Sequence, residues 1–145
     1  MTKFTKIITE GETNYTMNVM VKMSKTNHEY FSITYAQINM RGRLEACGAG
    51  HDTIRKYFGN QFDDVIPLHL ADSDGVPMHA LENGFYYLQN PEEFKPEVVA
   101  DHFRVSLASV EALRALSKDD LAKWVEDQKP RWKAEAEAIR AKYKI

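Results

Sequence analysis

The spacing of apolar residues changes near Arg41–Arg43, and this change restricts the chain to a fold with strands first and helices afterwards. Before it, apolar and polar residues alternate, which is the pattern of strands with one buried face. After it, apolar residues recur every three or four positions, which is the pattern of helices with one buried face. The sequence therefore predicts an α+β fold in which an N-terminal antiparallel sheet packs against C-terminal helices.

The length of 145 residues fits a single domain that is strand-rich over residues 1–45 and helix-rich over residues 50–145. Segments rich in β-branched and aromatic residues predict strands at Lys3 to Thr9, Asn14 to Met23 and Glu29 to Thr34, with a fourth strand near Tyr35 to Met40. Turn residues at Glu10–Glu12 and Ser24–Asn27 separate the first three strands. We expect Cys47–Gly50 to form a flexible loop before the helices.

The second part of the chain predicts a series of helices. They are His51 to Phe58, a helix that starts with Pro77, Pro96 to Phe103, Ser106 to Leu116, and a helix opened by Ser117 that resumes from Arg131 to Tyr143. We expect Pro130 to interrupt the last one, because proline has no backbone N–H and clashes with the preceding turn. The apolar spacing predicts a core that contains Leu81, Phe85, Leu88, Leu113, Leu121 and Trp124.

The composition excludes some classes of protein. No apolar run reaches the roughly 20 residues of a membrane span, and the single cysteine, Cys47, allows no intrachain disulfide. We therefore expect a cytoplasmic protein with no membrane partner. The net charge of −2 hides an acidic middle, because residues 51–101 carry three basic and ten acidic side chains, a balance of −7. This segment repels phosphate backbones, which argues against a nucleic-acid partner and favours a basic protein surface.

The segment from His69 to Leu88 concentrates side chains that could do chemistry. Together with His51 it supplies imidazole and carboxylate groups, which suit zinc, manganese or iron. One hypothesis is therefore a divalent metal cofactor, held by His51, His69, Asp72 and His79. The structural alternative is that Asp72 and Asp74 form an Asx turn that caps the following helix, while His69 is a core histidine. The chain has neither a His-Glu-x-x-His motif nor an EF-hand loop.

A second pattern, from Val99 to Leu116, has the rhythm of a helix-turn-helix motif. The charges argue against DNA binding, because the helix that would enter the groove offers only Arg114, while Glu111 repels phosphate. Arg104 also occupies the turn, where such motifs usually have glycine. Two packed helices are the simpler interpretation.

Several motifs resemble those of small proteins encoded by bacteriophages and prophages. They are Gly42-Arg43-Leu44-Glu45, His51-Asp52-x-Ile54, Pro67-Leu68-His69-Leu70, and His-Leu-x-Asp-x-Asp-Gly-x-Pro-Met-His-Ala-x-x-Asn-Gly-x-Tyr from His69. The stretch from Trp124 to Ala136 is similar to their C-terminal part. No activity is established for these proteins, so the resemblance implies a phage or prophage setting rather than a mechanism. Their recurring polar positions correspond to His51, His69, Asp72, Asp74, His79 and Asn83.

The leading functional hypothesis is a phage accessory protein that binds a host protein and inhibits a host defence system, such as a CRISPR effector or a nucleotide-signalling pathway. The acidic middle of the chain would make the contact, through Asp63, Asp64, Asp72 and Asp74. The first alternative is a small metal-dependent hydrolase or nuclease that uses the His/Asp cluster. The second is a helix-turn-helix DNA-binding regulator. The lack of a recognisable catalytic set favours binding over turnover.

Overall fold

The computed structural model describes residues 2–25 and 27–145 and confirms the α+β class, since an antiparallel sheet precedes the helices. The strands are β1 (Thr2–Glu10), β2 (Thr13–Lys25), β3 (Glu29–Asn39) and β4 (Leu44–Gly48). The helices are α1 (His51–Phe58), α2 (Met78–Gln89), α3 (Pro96–Phe103), α4 (Val110–Arg114) and α5 (Lys118–Tyr143), with single 3₁₀ turns at Ile66–Leu68 and Leu107–Ser109. None of these helices combines the length and the apolar character needed to cross a membrane.

Contacts divide the chain into two compact units. The sheet unit contains the described residues up to His69 together with Ala138–Ile145, and the helical unit is Leu70–Glu137. Helix α5 therefore contributes its last residues to the sheet unit and the others to the helical unit. The single-domain organisation stays a prediction, because a division by contacts does not measure whether the two units unfold together.

The sheet is a meander in which each strand pairs with the next one along the chain. Met17, Val19 and Val21, which the sequence predicts on one face of β2, are fully buried, but Asn18, predicted on the opposite face, is buried as well. Val21 lies opposite the buried Ile33 of β3, so apolar side chains of neighbouring strands share one face. Gly11, with φ +61°, lies in the predicted turn between β1 and β2. The next predicted turn includes Thr26, which lies outside the described residues.

The fourth strand is not where the sequence places it. The predicted strand near Tyr35 to Met40 is wrong as a separate element, because β3 continues to Asn39 and pairs with β2 along that whole length. The side chain of Asn39 then closes a turn, since its Oδ1 accepts hydrogen bonds of 3.0 Å from the N–H groups of Arg41 and Arg43. The fourth strand is β4, so part of the predicted loop Cys47–Gly50 pairs with β3.

Pro130 lies inside a continuous helix, and the predicted interruption at this residue is wrong. The buried side chains of α5 keep one helical spacing on both sides of the proline, and they are Leu121, Val125, Trp132, Ala136, Ile139 and Tyr143. Pro130 is on the exposed side of the helix, as is Glu126, whose carbonyl loses its usual hydrogen-bond donor at the proline. One missing hydrogen bond facing water costs less than dividing the apolar face.

The remaining helices agree with the prediction to different degrees. Helices α1 and α3 have the predicted ranges, whereas Pro77 is the N-cap of α2 rather than its first residue. The helix predicted from Ser106 to Leu116 is wrong in extent, because a 3₁₀ turn replaces its first part and α4 has only five residues. The hydroxyls of Ser106 and Ser109 form a 2.8 Å hydrogen bond, a local contact that competes with regular helix.

The predicted core is confirmed for Leu88, Leu113 and Leu121, and Phe85 and Trp124 are partly buried against the same cluster. Leu81 was predicted to lie in the core, and this prediction is wrong, since the residue is 45% exposed. The buried positions of α2 are Ala80, Gly84 and Leu88, which leaves Leu81 at the edge of the buried face. Gly84 is pressed against Phe103, where a Cβ would lie 2.9 Å from the ring. A small residue therefore fixes which side of α2 faces inward.

Three aromatic rings pack together in the sheet unit. The ring centroid of Phe62 lies 5.0 Å from that of Phe4 and 6.3 Å from that of Tyr143. The hydroxyl of Tyr143 donates a 2.7 Å hydrogen bond to Asp64, whose other oxygen binds Lys142. Burial acts to raise the pKa of Asp64, but the hydrogen bonds from Lys142 and Tyr143 outweigh it and hold this pKa below its usual value.

Tyr143→Phe is expected to lower the free energy of unfolding by about 1–2 kcal/mol at neutral pH, because it removes a hydrogen bond to a charged acceptor. Stability from a carboxylate whose pKa is depressed by folding is present above the unfolded pKa and is lost as the pH falls through the folded one. The difference between the two proteins should therefore shrink in acid. Urea unfolding followed by far-ultraviolet circular dichroism at several pH values measures this difference.

Tyr86→Phe is the matched control, because the Tyr86 hydroxyl binds Glu93 at 2.8 Å on the open surface. It should change stability little at any pH. Equal effects of the two substitutions would contradict a stabilising role for the Asp64–Tyr143 contact.

Candidate functional site

The segment between Ala71 and Pro77 forms a tight turn before α2. These two residues make an isolated antiparallel bridge, which closes the turn. Inside it, Oδ1 of Asp72 accepts hydrogen bonds from the backbone N–H groups of Asp74 at 2.9 Å and Val76 at 3.0 Å. This is the Asx turn expected from the sequence. The expected capping of α2 is wrong, because no side chain caps that helix.

Arg104 binds this turn to α5. Its guanidinium donates hydrogen bonds to the carbonyl of Gly75 and, at 3.0 Å, to Glu135, and it lies 5.7 Å from the ring centroid of Trp132. Only 5% of the Arg104 side chain is exposed. Burial lowers the pKa of Arg104 and the charge of Glu135 opposes this shift, so the guanidinium remains a charged donor.

Gly75 permits the close approach of the turn to α5. Its φ is +78°, and a Cβ built there would lie 2.4 Å from the carbonyl oxygen of Trp132 and 3.0 Å from the Cβ of Ala136. Only glycine meets both the conformational and the steric demand at this position.

A groove with a volume of about 520 Å³ opens beside the turn, and we call it the turn groove. The turn lines it with Asp72, Asp74 and Val76, and α2 lines it with Leu81. One face of α5 forms the remaining wall, with Glu126, Lys129, Pro130 and Lys133. The volume falls within the roughly 300–1,000 Å³ of ligand-binding clefts.

The charged groups of the turn groove differ in how they are used. Lys129 binds Glu126 on the same helix, with 2.6 Å between Nζ and Oε1. Oδ1 of Asp72 already accepts the two backbone hydrogen bonds within the turn. The exposed carboxylate of Asp74 has no hydrogen bond or ion pair within the described residues, and neither has the ammonium group of Lys133. The groove therefore offers one uncommitted anion and one uncommitted cation around an apolar surface.

The predicted histidines make ring contacts within each of the two units. In the sheet unit, the rings of His51 and His69 meet edge to face with centroids 5.0 Å apart. The N–H of Ile33 donates a long hydrogen bond, 3.4 Å, to Nδ1 of His69. Burial, assisted by the charge of Arg55 and opposed by Asp52, lowers the pKa of His51. His51 is therefore held neutral to lower pH than a free histidine.

In the helical unit, the exposed His79 of α2 stacks on His102 of α3, with ring centroids 5.7 Å apart. His102 also contacts Tyr87 at 4.8 Å, and its buried Nδ1 has no hydrogen-bond partner among the described residues. Burial lowers the pKa of His102, and the charge of His79 adds to this effect while Asp101 opposes it.

Within residues 2–25 and 27–145, no three His, Cys, Asp or Glu side chains come together in a way that could hold a metal ion. His51 pairs with His69, His79 pairs with His102, and Asp72 binds its own turn. The divalent-metal set of His51, His69, Asp72 and His79 receives no geometric support from these contacts and stays a prediction.

The four acidic residues predicted to bind a partner have different surroundings. Asp63 forms an ion pair with Arg55 at 3.1 Å, and Asp64 is engaged by α5 in the sheet unit. Asp72 and Asp74 belong to the helical unit, where they line the turn groove. Only Asp74 among the four presents an exposed carboxylate without a protein partner in the described part of the chain.

The arginines of the segment that resembles a helix-turn-helix motif make contacts within the protein. Nη1 of Arg114 binds Glu111 at 3.0 Å and Nη2 binds the carbonyl of Phe94 at 3.3 Å, so little of this side chain reaches solvent. Arg104, at the end of α3, has φ +52° and is also buried. The glycine-like turn conformation is therefore present, but the arginines there stabilise the unit.

Sequence reasoning missed the α5 wall of the turn groove and the role of Arg104. Pro130 was interpreted only as a helix breaker, and Leu81 was assigned to the core. One available signal was the apolar spacing that continues from Val125 to Trp132 across the proline. The other was an arginine at a turn position that favours glycine, which indicates side-chain contacts strong enough to offset the backbone cost.

No protein family, curated protein or solved structure matches this chain.

Gly75→Ala is expected to lower the free energy of unfolding by about 3 kcal/mol or more, because the new methyl group meets the Trp132 carbonyl in a backbone conformation that favours glycine. Gly11→Ala is the control, since Gly11 also has positive φ but a Cβ there would meet nothing within 4 Å. It should cost about 1 kcal/mol. Equal losses in urea unfolding would show that steric contact with α5 is unimportant.

His79→Gln is expected to raise the pKa of His102, because it removes a like charge that lowers this pKa. The pKa should stay below the ordinary value, since burial persists. A titration of the His102 ring protons by NMR measures the change. His28→Gln, in an exposed turn, should leave His102 unaffected, and an unchanged or lower His102 pKa in His79→Gln would contradict the stacked arrangement.

Proposed function

We propose that this chain is a phage accessory protein that binds a basic surface of a host protein and thereby inhibits a host defence system. It acts inside the bacterial cell by occupying its target rather than by turnover. The observation that carries the proposal is the unequal distribution of charge between the two units. The sheet unit has 11 basic and 7 acidic residues, a net charge of +4, whereas the helical unit has 8 basic and 14 acidic residues, a net charge of −6.

Internal ion pairs increase the acidic character that the helical unit presents to a partner. Four of its basic residues bind three acidic ones, through the pairs Arg104–Glu135, Arg131–Glu135, Arg114–Glu111 and Lys129–Glu126. This leaves 11 carboxylates against 4 lysines without an ion pair in this unit. Ten of those carboxylates are on exposed residues, Asp72 being the exception.

An acidic surface of this kind favours a basic protein partner. Complementary charge accelerates encounter and excludes partners of like charge, including nucleic acid. Host proteins that bind nucleic acid expose basic surfaces, so a protein with this charge can compete for the same site. The resemblance to phage and prophage proteins implies a phage setting, and within that setting the target that we propose is a defence protein, such as a CRISPR effector or a component of nucleotide signalling.

The test is a plating assay in bacteria whose CRISPR or nucleotide-signalling defence restricts a phage. Expression of the chain should raise the efficiency of plating in at least one of these hosts. A variant with Glu82→Gln, Glu92→Gln and Glu97→Gln should lose at least about tenfold of this protection, since three partly screened charges together contribute more than about 1.4 kcal/mol. A variant with Lys95→Gln, Lys118→Gln and Lys123→Gln is the matched control and should retain protection.

The competing hypotheses give different results on the same purified protein. A metal-dependent hydrolase or nuclease would contain stoichiometric metal and would lose protection in His79→Ala without unfolding. A DNA-binding regulator would bind duplex DNA in a salt-sensitive way. No gain in plating in any host, or full protection by the acid-neutralised variant, would overturn the proposal.

A further inference from the structure

We propose that the turn groove is the recognition site for the partner, and that it takes an arginine or lysine side chain together with an adjacent apolar side chain of the partner polypeptide. This inference rests on the proposed function and specifies the chemistry of its contact. The proposed occupant is a peptide segment with one cationic and one apolar side chain, and not a small anion, a nucleic acid or a metal ion.

The apolar part of the groove is open to solvent without any evident structural need. Leu81 is 45% exposed although it lies on a helix whose other face supplies core residues. Pro130, on the exposed side of α5, and the buried Val76 line the same groove. A leucine-sized side chain of a partner would remove this apolar surface from water, which favours binding.

The acceptors around this apolar surface favour a cationic donor. Asp74 presents a carboxylate with no partner among the described residues, and Asp72 adds a second negative charge held in place by the turn. Pro130 has no N–H to donate to the carbonyl of Glu126, so this carbonyl of a groove-lining residue lacks its usual helical donor. A guanidinium or ammonium group can donate to several of these oxygens together, and charge-assisted bonds of this type are the stronger ones.

Lys133 limits the occupant to a segment with few positive charges. Its ammonium group lies on the same helical face as Glu126 and has no ion pair within the described residues. It repels a run of basic residues but can bind a backbone carbonyl or a carboxylate of the partner. The groove therefore favours one cation beside one apolar residue, and removal of the Lys133 charge should strengthen the binding of a cationic peptide.

The test is an amide NMR titration of the whole protein with the blocked peptide acetyl-Gly-Arg-Leu-Gly-amide. Saturable shifts should centre on Leu81, the turn from Asp72 to Val76 and the α5 wall. The peptide with Glu in place of Arg should give no saturable shifts, and the one with Gly in place of Leu should bind more weakly. Asp74→Asn should weaken binding by about threefold or more, whereas Lys133→Gln should strengthen it.

Asp101→Asn is the matched control, because it removes the same charge from an exposed residue of α3 that does not line the groove. It should change the affinity by less than about twofold. Shifts outside the groove, equal effects of Asp74→Asn and Asp101→Asn, or weaker binding to Lys133→Gln would each overturn the inference.

The plating assay separates a failure of this inference from a failure of the proposed function. If Asp74→Asn and Leu81→Ser abolish peptide binding but keep full protection against the host defence, the partner binds elsewhere and only the inference fails. If the peptide binds as expected but the unmodified chain gives no protection in any host, the groove chemistry stands and the proposed function fails.

Discussion

The buried guanidinium of Arg104 is the contact on which the arrangement of the helical unit depends. It joins the end of α3 to the carbonyl of Gly75 and to Glu135 on α5, two segments that are far apart in sequence. A charge that is only 5% exposed is tolerated when hydrogen bonds and an opposite charge compensate for lost hydration. Arg104 also adopts φ +52°, where glycine is usual. Because the turn and α5 are the walls of the turn groove, this one side chain sets the geometry of the candidate site.

The candidate site combines a rigid frame with uncommitted chemical groups. Hydrogen bonds to Asp72 and the tight fit of Gly75 fix the turn before any partner arrives, so little conformational entropy remains to be lost on binding. The exposed Leu81, the carboxylate of Asp74 and the ammonium group of Lys133 serve no evident purpose in the fold. A protein that recognises a partner needs this division between a framework satisfied internally and a surface left unsatisfied.

The sequence predicted the elements better than it predicted their contacts. Alternation in β2 and the spacing of α1 and α3 depend on local apolar patterns, which a sequence displays directly. Pro130 was misinterpreted because the apolar face of α5, from Leu121 to Tyr143, outweighs the local preference of one exposed residue. Leu81 was misplaced because the inward side of α2 is selected by Gly84 against Phe103, a contact between separate helices. The turn groove shares this origin, since its two walls meet only in the folded chain.

The division of α5 between the two units affects the order in which the protein can be completed during synthesis. The aromatic cluster of the sheet unit needs Phe4 from the first strand and Tyr143 from the last helical turn. The cluster therefore cannot close until Tyr143 has left the ribosome, whatever has folded in between. Contacts of such long sequence separation slow folding and prolong the exposure of unpaired strands. Phe4 can consequently gain its contact with Phe62 well before it gains its contact with Tyr143.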